Sequence, residues 1–290
     1  MAGAGRYELH VVNIDGTVID QITNDGITPN NQLQSLQPHG SIDPTAIASF
    51  GETPAIRFST MKLATALGAI GESGLDVSSS AEFGYVELSQ GGGHESGGEK
   101  VAATKCLIVP GSLSAQQDGF CELTYIALPY SSNGTTAPLA HSAALPTGTP
   151  AVDELFTLAS VTINGTPIGK PIGWNLDFGL SAQTLKHSGA QYPTEALIRG
   201  RSPAFNVVAA DLGDLSTARL SGSEVDSVVL NLKKMSTIGA GFEGSGDKTI
   251  TFAKAHMVVT DTSGTHPGDA AVTFGFTARK DGANAIIAIA

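Results

Sequence analysis

The eight residues V-N-I-D-G-T-V-I at positions 12–19 return 149 positions later as V-T-I-N-G-T-P-I at positions 161–168. Both copies place Asp-Gly or Asn-Gly between runs rich in β-branched residues, which is the strongest short-range signal for a two-residue hairpin turn. The two stretches therefore predict the same opening hairpin at two places in one chain.

The match at this offset runs without a gap over residues 12–63 and 161–212, where 14 of the 52 aligned positions are identical. Unrelated stretches of such a composition would share roughly four. The backbone geometry of a turn fixes the positions of Gly and Pro, so shared spacing of these residues indicates shared turns. The matching pairs include Gly40 with Gly189, Pro44 with Pro193, Gly51 with Gly200 and Pro54 with Pro203. We therefore predict a tandem duplication with domains at 1–149 and 150–290.

The composition favours strands and turns over helices. The chain has 290 residues, 35 of them Gly, and only 15% are charged, with no long Glu/Lys/Leu-rich segment. The predicted exception is one short helix in each half. The first would start at Ser59 or Thr60 as N-cap and stop at Gly71, and the second would follow Asp211.

Both halves also carry a long Gly-rich stretch at the same point between two predicted strands. Loops of this length are either functional or disordered, and a duplicated loop without catalytic residues suits contact with another subunit. The residues predicted to make such contacts are Gly91, Gly92, Gly93, His94 and Glu95 in the first half, and Gly239, Gly241, Phe242, Glu243 and Gly244 in the second.

The net charge of −11 is unevenly divided, with 5 basic and 14 acidic residues up to position 149 and 11 and 13 after it. No basic patch is visible, which disfavours specific nucleic-acid binding, although an acidic surface could let DNA pass. The N-terminus lacks the apolar run of a secretory signal, and no stretch approaches a membrane span. We expect a chain that is made in a cytoplasm, with no membrane partner.

Candidate catalytic and metal-binding patterns are weak. Ser59 and Lys62 match S-x-x-K, in which the lysine could deprotonate the serine, but helix capping with a solvated lysine is the favoured interpretation. The seven histidines are scattered, and Cys106 and Cys121 are expected to remain reduced and buried. We therefore predict no catalytic residues, no metal and no cofactor.

Three segments carry a resemblance to a known family. They are P-A-I-R-F-S-T at 54–60 followed by L-A-T-A-L at 63–67, G-R-S-P at 200–203, and G-F-T-A-R at 275–279. In these segments and in its organisation over most of its length, the chain resembles major tail tube proteins of long-tailed bacteriophages.

The resemblance implies a β-sandwich or half-barrel domain with one short helix, assembled into hexameric rings that stack into a tube for DNA. It also implies tape measure and tail terminator proteins as partners, and a location in the virion tail. This chain departs from the family by its duplication, and three copies of a two-domain chain could close a pseudo-sixfold ring.

Other classes of protein fit parts of the pattern. A capsid decoration protein, a β-sandwich adhesin or a carbohydrate-binding module would share the strand-rich composition. A sugar-binding site is expected to display aromatic residues, yet these are only 6% of the chain. A hydrolase would need Ser59 with Lys62, or a dispersed triad that sequence does not reveal.

Overall fold

The structure is a computed structural model, and it describes residues 6–37, 39, 42–78, 80–88, 94–144, 151, 153–210, 222–236, 241–264 and 270–290. The fold is mainly β and consistent with a β-sandwich, as predicted. Within these ranges no sheet closes into a barrel.

The described elements of the first half are twelve strands and one helix. They are β1 (Arg6–Ile14), β2 (Thr17–Ile19), β3 (Ile22–Thr28), β4 (Asn31–Leu36), β5 (Ala46–Glu52), β6 (Ala55–Thr60), α1 (Leu63–Ile70), β7 (Leu75–Val77), β8 (Ala81–Leu88), β9 (His94–Ala103), β10 (Cys106–Gln116), β11 (Glu122–Pro129) and β12 (Leu139–Ser142).

The described elements of the second half are all strands. They are β13 (Phe156–Ile163), β14 (Thr166–Pro167), β15 (Pro171–Asp177), β16 (Leu180–Leu185), β17 (Glu195–Arg201), β18 (Ala204–Ala209), β19 (Ser223–Val225), β20 (Val228–Lys234), β21 (Lys248–Phe252), β22 (Ala255–Gly264), β23 (Ala270–Ala278) and β24 (Ile287–Ile289).

A ten-stranded antiparallel sheet runs through both halves, in the order β19-β22-β23-β18-β15-β10-β11-β6-β3, with β7 paired to β10. Each half adds a five-stranded sheet, β12-β9-β8-β1-β2 in the first and β24-β21-β20-β13-β14 in the second. The hairpins β4–β5 and β16–β17 form separate two-stranded sheets.

Aromatic side chains connect the five-stranded sheets to the large sheet. Phe58 of β6 meets Phe83 of β8 edge-on, with ring centroids 6.2 Å apart. Phe205 of β18 stacks on Phe252 of β21 at 4.3 Å. All four rings are buried, so the core of each half lies between its five-stranded sheet and the large sheet.

The two halves have the same strand order. In the large sheet, β7-β10-β11-β6-β3 corresponds to β19-β22-β23-β18-β15, and the five-stranded sheets also correspond strand for strand. The bounds of β3, β4, β5 and β6 recur 149 positions later in β15, β16, β17 and β18. The duplication stays a prediction, to which this correspondence lends support.

The predicted hairpin turns are confirmed. Asp15 and Gly16 have φ values of +49° and +88°, and Asn164 and Gly165 have +50° and +78°. Two successive residues with positive φ define the turn that matches the twist of a β-hairpin. In each half this turn joins the first strand to the short strand that follows it.

The predicted cap of the first helix is wrong. Ser59 and Thr60 belong to β6, and α1 begins at Leu63 without a cap from either side chain. The cap comes instead from Glu154, whose carboxylate accepts hydrogen bonds from the backbone N–H groups of Ala64 and Thr65 at 2.9 and 3.1 Å. A carboxylate at this end of a helix is favoured by the unpaired N–H groups and the helix dipole.

The predicted end of that helix at Gly71 is confirmed. Gly71 has a φ of +74°, and its N–H donates to the carbonyl of Leu67. The second predicted helix, after Asp211, falls on residues outside the described ranges.

Candidate subunit interface

The strands β10 and β15 join the two halves into one sheet. They pair antiparallel over five positions, and β10 also pairs with β11 inside the first half. The partners across the joint are Ser112 with Asp177, Leu113 with Leu176, Ser114 with Asn175, Ala115 with Trp174 and Gln116 with Gly173. We refer to this pairing as the joint.

Apolar side chains alternate with polar ones along the joint. Leu113, Ala115 and Leu176 are fully buried, and Trp174 is 4% exposed. The other joint positions hold Ser, Asn, Gln and Asp, apart from Gly173, as expected for strands with one face on the core. The joint is therefore an extension of the core, and its two strands exclude water from the edges that they share.

The large sheet ends in two strands that are counterparts of the joint. β3 corresponds to β15 and pairs with β6 on one side. β22 corresponds to β10 and pairs with β23, while β19 covers only Ala255–Met257 on its other side. No described strand pairs with β3 away from β6, or with residues 258–264 away from β23. We call these the first and second open edges.

The first open edge exposes what the joint buries. Asp25 and Ile27 of β3 hold the positions of Trp174 and Leu176 in β15. Ile27 is 38% exposed, whereas Leu176 is fully buried. Unpaired strand edges are templates for pairing with another chain, and natural proteins usually protect them. The described part of this chain leaves both edges open.

A groove beside the joint has an incomplete counterpart at the first open edge. The first groove, of about 440 Å³, is lined by β10, β15 and β18, including Gln116, Trp174 and Asn206. The second, of about 260 Å³, is lined by β3, β6 and β11, including Gly26 and Arg57. A wall equivalent to β10 is missing from the second groove, because no strand of the described chain lies beyond β3.

The second arm, which is the β16–β17 hairpin with its loop at residues 180–201, packs on the first half. The carbonyl of Gly134 accepts from the backbone N–H groups of Gln191 and Tyr192 at 2.7 and 2.9 Å, and Ser131 N–H donates to the carbonyl of Pro193 at 2.7 Å. Arg201 donates to the Ser73 hydroxyl at 3.1 Å. Burial lowers the pKa of Arg201, although the negative charge of Glu72 acts to raise it.

The first arm is the equivalent β4–β5 hairpin at residues 31–52. Gly51 at its end is buried against Gln191 of the second arm, but the hairpin carries a cluster of exposed residues. Four of its large apolar side chains face solvent: Leu33 at 65%, Leu36 at 63%, Ile42 at 92% and Ile47 at 71%. Such a concentration of exposed apolar residues on one hairpin is typical of an interaction surface.

The predicted contact residues in the Gly-rich stretches are only partly described. Gly91, Gly92, Gly93 and Gly239 lie outside the described residues, and His94 and Glu95 begin strand β9 rather than lying in a loop. In the second half, Phe242 bridges to Met235, and the Lys233 ammonium lies 5.2 Å from its ring. Phe242 remains 58% exposed, and a contact with another subunit stays a prediction.

The remaining predicted residues of that second stretch fold back on their own strand. The Glu243 N–H donates to the carbonyl of Lys234, and the two side chains form an ion pair at 2.9 Å. The Gly241 carbonyl accepts a hydrogen bond from the N–H of Ser236. A side chain at Gly244 would meet no atom within 4 Å.

Ser59 and Lys62 are held by other partners. The Ser59 hydroxyl lies 2.8 Å from that of Thr124. Lys62 Nζ lies 3.2 Å from Asp20 and 3.1 Å from Asp153. Burial opposes the charge of Lys62, but its bonds with Asp153 and Asp20 outweigh burial and raise its pKa. A lysine so protonated does not serve as a base for the serine.

The cysteines are buried and free, as predicted, and burial raises the pKa of Cys121 to about 12. Among the residues that the structure describes, no three His, Cys, Asp or Glu side chains come together as they would around a metal ion. No helix in the described ranges is long and apolar enough to cross a membrane.

Sequence reasoning missed the joint and both arms. The pairing of β10 with β15 leaves no local signal, because each strand reads as an ordinary half-buried strand. The signal that could have revealed the arms is a comparison of the two halves at the offset of 149. The first arm carries Leu33, Ile42 and Ile47 where the second arm has Ala182, Gln191 and Ala196.

A comparison with known family models finds none that matches this chain. A comparison with curated proteins finds no match either.

Proposed function

We propose that this protein is a structural subunit that closes into rings by pairing its two open edges, and that the rings stack into a bacteriophage tail tube. The observation that carries the proposal is the joint. Inside one chain β10 pairs with β15. β10 is the counterpart of β22 at the second open edge, and β15 is the counterpart of β3 at the first. Two copies can therefore repeat this contact between chains.

The offset of 149 residues gives the expected register of the contact between copies. Ser112, which pairs with Asp177, corresponds to Asp261, and Asp177 corresponds to Thr28. By the same rule Thr262 would face Ile27. This pairing would cover Ile27 and supply the missing wall of the groove at the first open edge.

A trimer is the proposed ring. The two halves of each chain have matching strand order, and a head-to-tail contact that repeats the joint would close a ring of six halves if each half turns the chain by one sixth. Closure would also remove both open edges at once, which a linear dimer would not.

Passage of DNA through the ring is supported by charge and by the polar face of the large sheet. Ser114, Asn175 and Asn206 lie opposite one another on three neighbouring strands of that sheet. Neutral hydroxyl and amide groups, on a chain of net charge −11, offer phosphates little attraction. Tape measure and tail terminator proteins are the proposed partners, and the virion tail is the proposed location, after assembly in the host cytoplasm.

Native mass spectrometry with electron microscopy tests this function. We expect a species of three 29.6 kDa chains that appears as a ring, together with stacked rings or tubes. A protein that stays monomeric at high concentration would contradict the proposal, and sugar affinity in that monomer would favour a carbohydrate-binding module. Single copies bound to the surface of purified capsids would favour a decoration protein.

The variant Ile27→Asp locates the contact. It places a carboxylate at the position where the joint buries Leu176, so rings should be lost while the monomer stays folded. Thr166→Asp is the matched control, because Thr166 is an exposed strand residue away from both open edges. Rings that persist in Ile27→Asp would exclude β3 from the interface.

A further inference from the structure

We infer that the first arm of each copy docks on the second half of the neighbouring copy in the same ring, at residues 280–282. This inference rests on the proposed ring and adds a second contact to it. Inside one chain, the second arm docks on residues 131–134 of the first half. The first arm and residues 280–282 are the counterparts of these two surfaces. Ile42 and Pro44 of the arm are exposed, and so are Lys280 and Gly282 of the turn.

The two arms have the same strand register and share a hydrogen bond at the base of the loop. Thr45 N–H donates to the carbonyl of Leu36, and Thr194 N–H donates to the carbonyl of Leu185, each at 2.9 Å. These residues are counterparts at the offset of 149. The described residues at the base of the first arm's loop are therefore held as they are in the second arm.

The environments of the two arms differ. Pro193 of the second arm is buried against the first half, whereas its counterpart Pro44 is exposed. Leu36 of the first arm is 63% exposed, whereas its counterpart Leu185 in the second arm is half-buried. Contact with a neighbour would cover the apolar residues that the isolated chain leaves in water.

The surfaces on which the arms would dock differ in the same way, since residues 131–134 are covered by an arm and residues 280–282 are not. Gly134 has φ +73°, and a side chain there would collide with Ala190 and Thr194 of the second arm, at 2.7 and 2.9 Å. The corresponding turn of the second half is one residue shorter, so Gly134 matches Gly282, which has φ +57° and nothing within 4 Å. Likewise Ser131 is 2% exposed, while its counterpart Lys280 is exposed. The second half thus carries an empty copy of the occupied docking site.

Charge complements the shape of this site. The first arm carries Asp43 where the second arm carries Tyr192, and the receiving turn carries Lys280 where the first half carries Ser131. The docking geometry would bring the Asp43 carboxylate towards Lys280. Nearby Arg279 pairs with Glu224, and Lys254 pairs with Asp226 at 3.5 Å and with Asp281 at 3.9 Å. Opposite charges at matched positions favour this contact over its alternatives.

A zero-length carboxyl–amine coupling reagent tests the contact directly. Rings assembled from equal parts of normal and ¹⁵N-labelled chain should yield an Asp43–Lys280 cross-link with mixed isotopes, because the two residues belong to different copies. The link should be present in isolated rings as well as in tubes. A link found only in tubes would place the first arm against another ring and overturn the inference.

A charge exchange provides the second measurement. Asp43→Lys and Lys280→Asp should each raise the concentration at half-assembly roughly tenfold, because each places like charges together. The double variant should restore most of the loss. Asp118→Lys, a charge change at an exposed turn, is the matched control.

The outcomes separate the two proposals. Rings that form without the Asp43–Lys280 link, and whose assembly is unchanged by the charge exchange, would overturn the docking of the first arm. The proposed ring would still stand. A chain that never assembles would overturn both.

Discussion

β15 and β3 hold equivalent positions in the two halves, 149 residues apart, yet Leu176 of β15 is fully buried and Ile27 of β3 is 38% exposed. The hairpins that follow them differ in the same direction, with Pro193 buried and Pro44 exposed. The bounds of the two strands coincide at this offset, and Ile27 and Leu176 are both aliphatic, so the difference in their burial comes from the neighbouring strand. β15 has β10 beside it, and β3 has no described strand in that place.

The largest expected effect concerns an ion pair that only the first half can form. Lys62 faces the fully buried Asp20, whereas the corresponding sequence positions 211 and 169 hold Asp and Gly. Lys62→Met should cost about 3–5 kcal/mol in the free energy of unfolding, because it leaves a buried carboxylate without its cation. Urea denaturation measures this cost.

The matched control for that variant is Lys170→Met at an exposed site, which should leave the unfolding midpoint unchanged. Asp20→Asn in the Lys62→Met background should recover part of the lost free energy of unfolding, because it removes the buried carboxylate that has no cation beside it. An unchanged midpoint in Lys62→Met would show that the pair does not stabilise the first half.

The next effect compares the two strands directly. Leu176→Ala should destabilise the isolated chain by about 2–5 kcal/mol, because it removes a fully buried side chain. Ile27→Ala should cost the isolated chain less than about 1 kcal/mol, because its side chain is partly in water. In the assembled protein the cost of Ile27→Ala should rise. Equal costs in both states would mean that assembly leaves β3 exposed.

A smaller effect is a loss of stability at alkaline pH. The folded chain raises the pKa of Lys62 above its ordinary value of 10.5, so folding favours the protonated lysine. The stabilisation is complete below pH 10.5 and is lost as the pH rises through the folded pKa. Thermal unfolding should show this alkaline decline, and Lys62→Met should show less of it. Identical profiles would assign the decline to other groups.

The smallest effect is expected at Phe242. Phe242→Ala should change the stability of the isolated chain by less than about 1 kcal/mol, because the ring is exposed and its contact with Lys233 is weak. If the second Gly-rich stretch contacts a neighbour, as predicted, assembly should weaken far more than stability does. Sedimentation across a concentration series measures this, and unchanged assembly would exclude the ring from the interface.

The sequence predicts those features that depend on neighbouring residues. The Asp-Gly and Asn-Gly turns and the helix end at Gly71 are confirmed, because each follows from the local backbone. The helix cap was predicted wrongly because the capping carboxylate belongs to Glu154, 90 positions from Ala64. The joint was missed for the same reason, since β10 and β15 meet only through the fold.

An engineered disulfide between the two open edges tests the central claim most directly. The register of the joint places Thr28 of one copy opposite Asp261 of the next, and opposed residues on antiparallel strands are close enough for a disulfide. The native cysteines are buried and should not interfere. Thr28→Cys with Asp261→Cys should give, on oxidation, covalent species of up to three chains. Thr28→Cys with His256→Cys, which is out of register, should give none. Equal yields from both pairs, or no covalent species from the matched pair, would contradict the account.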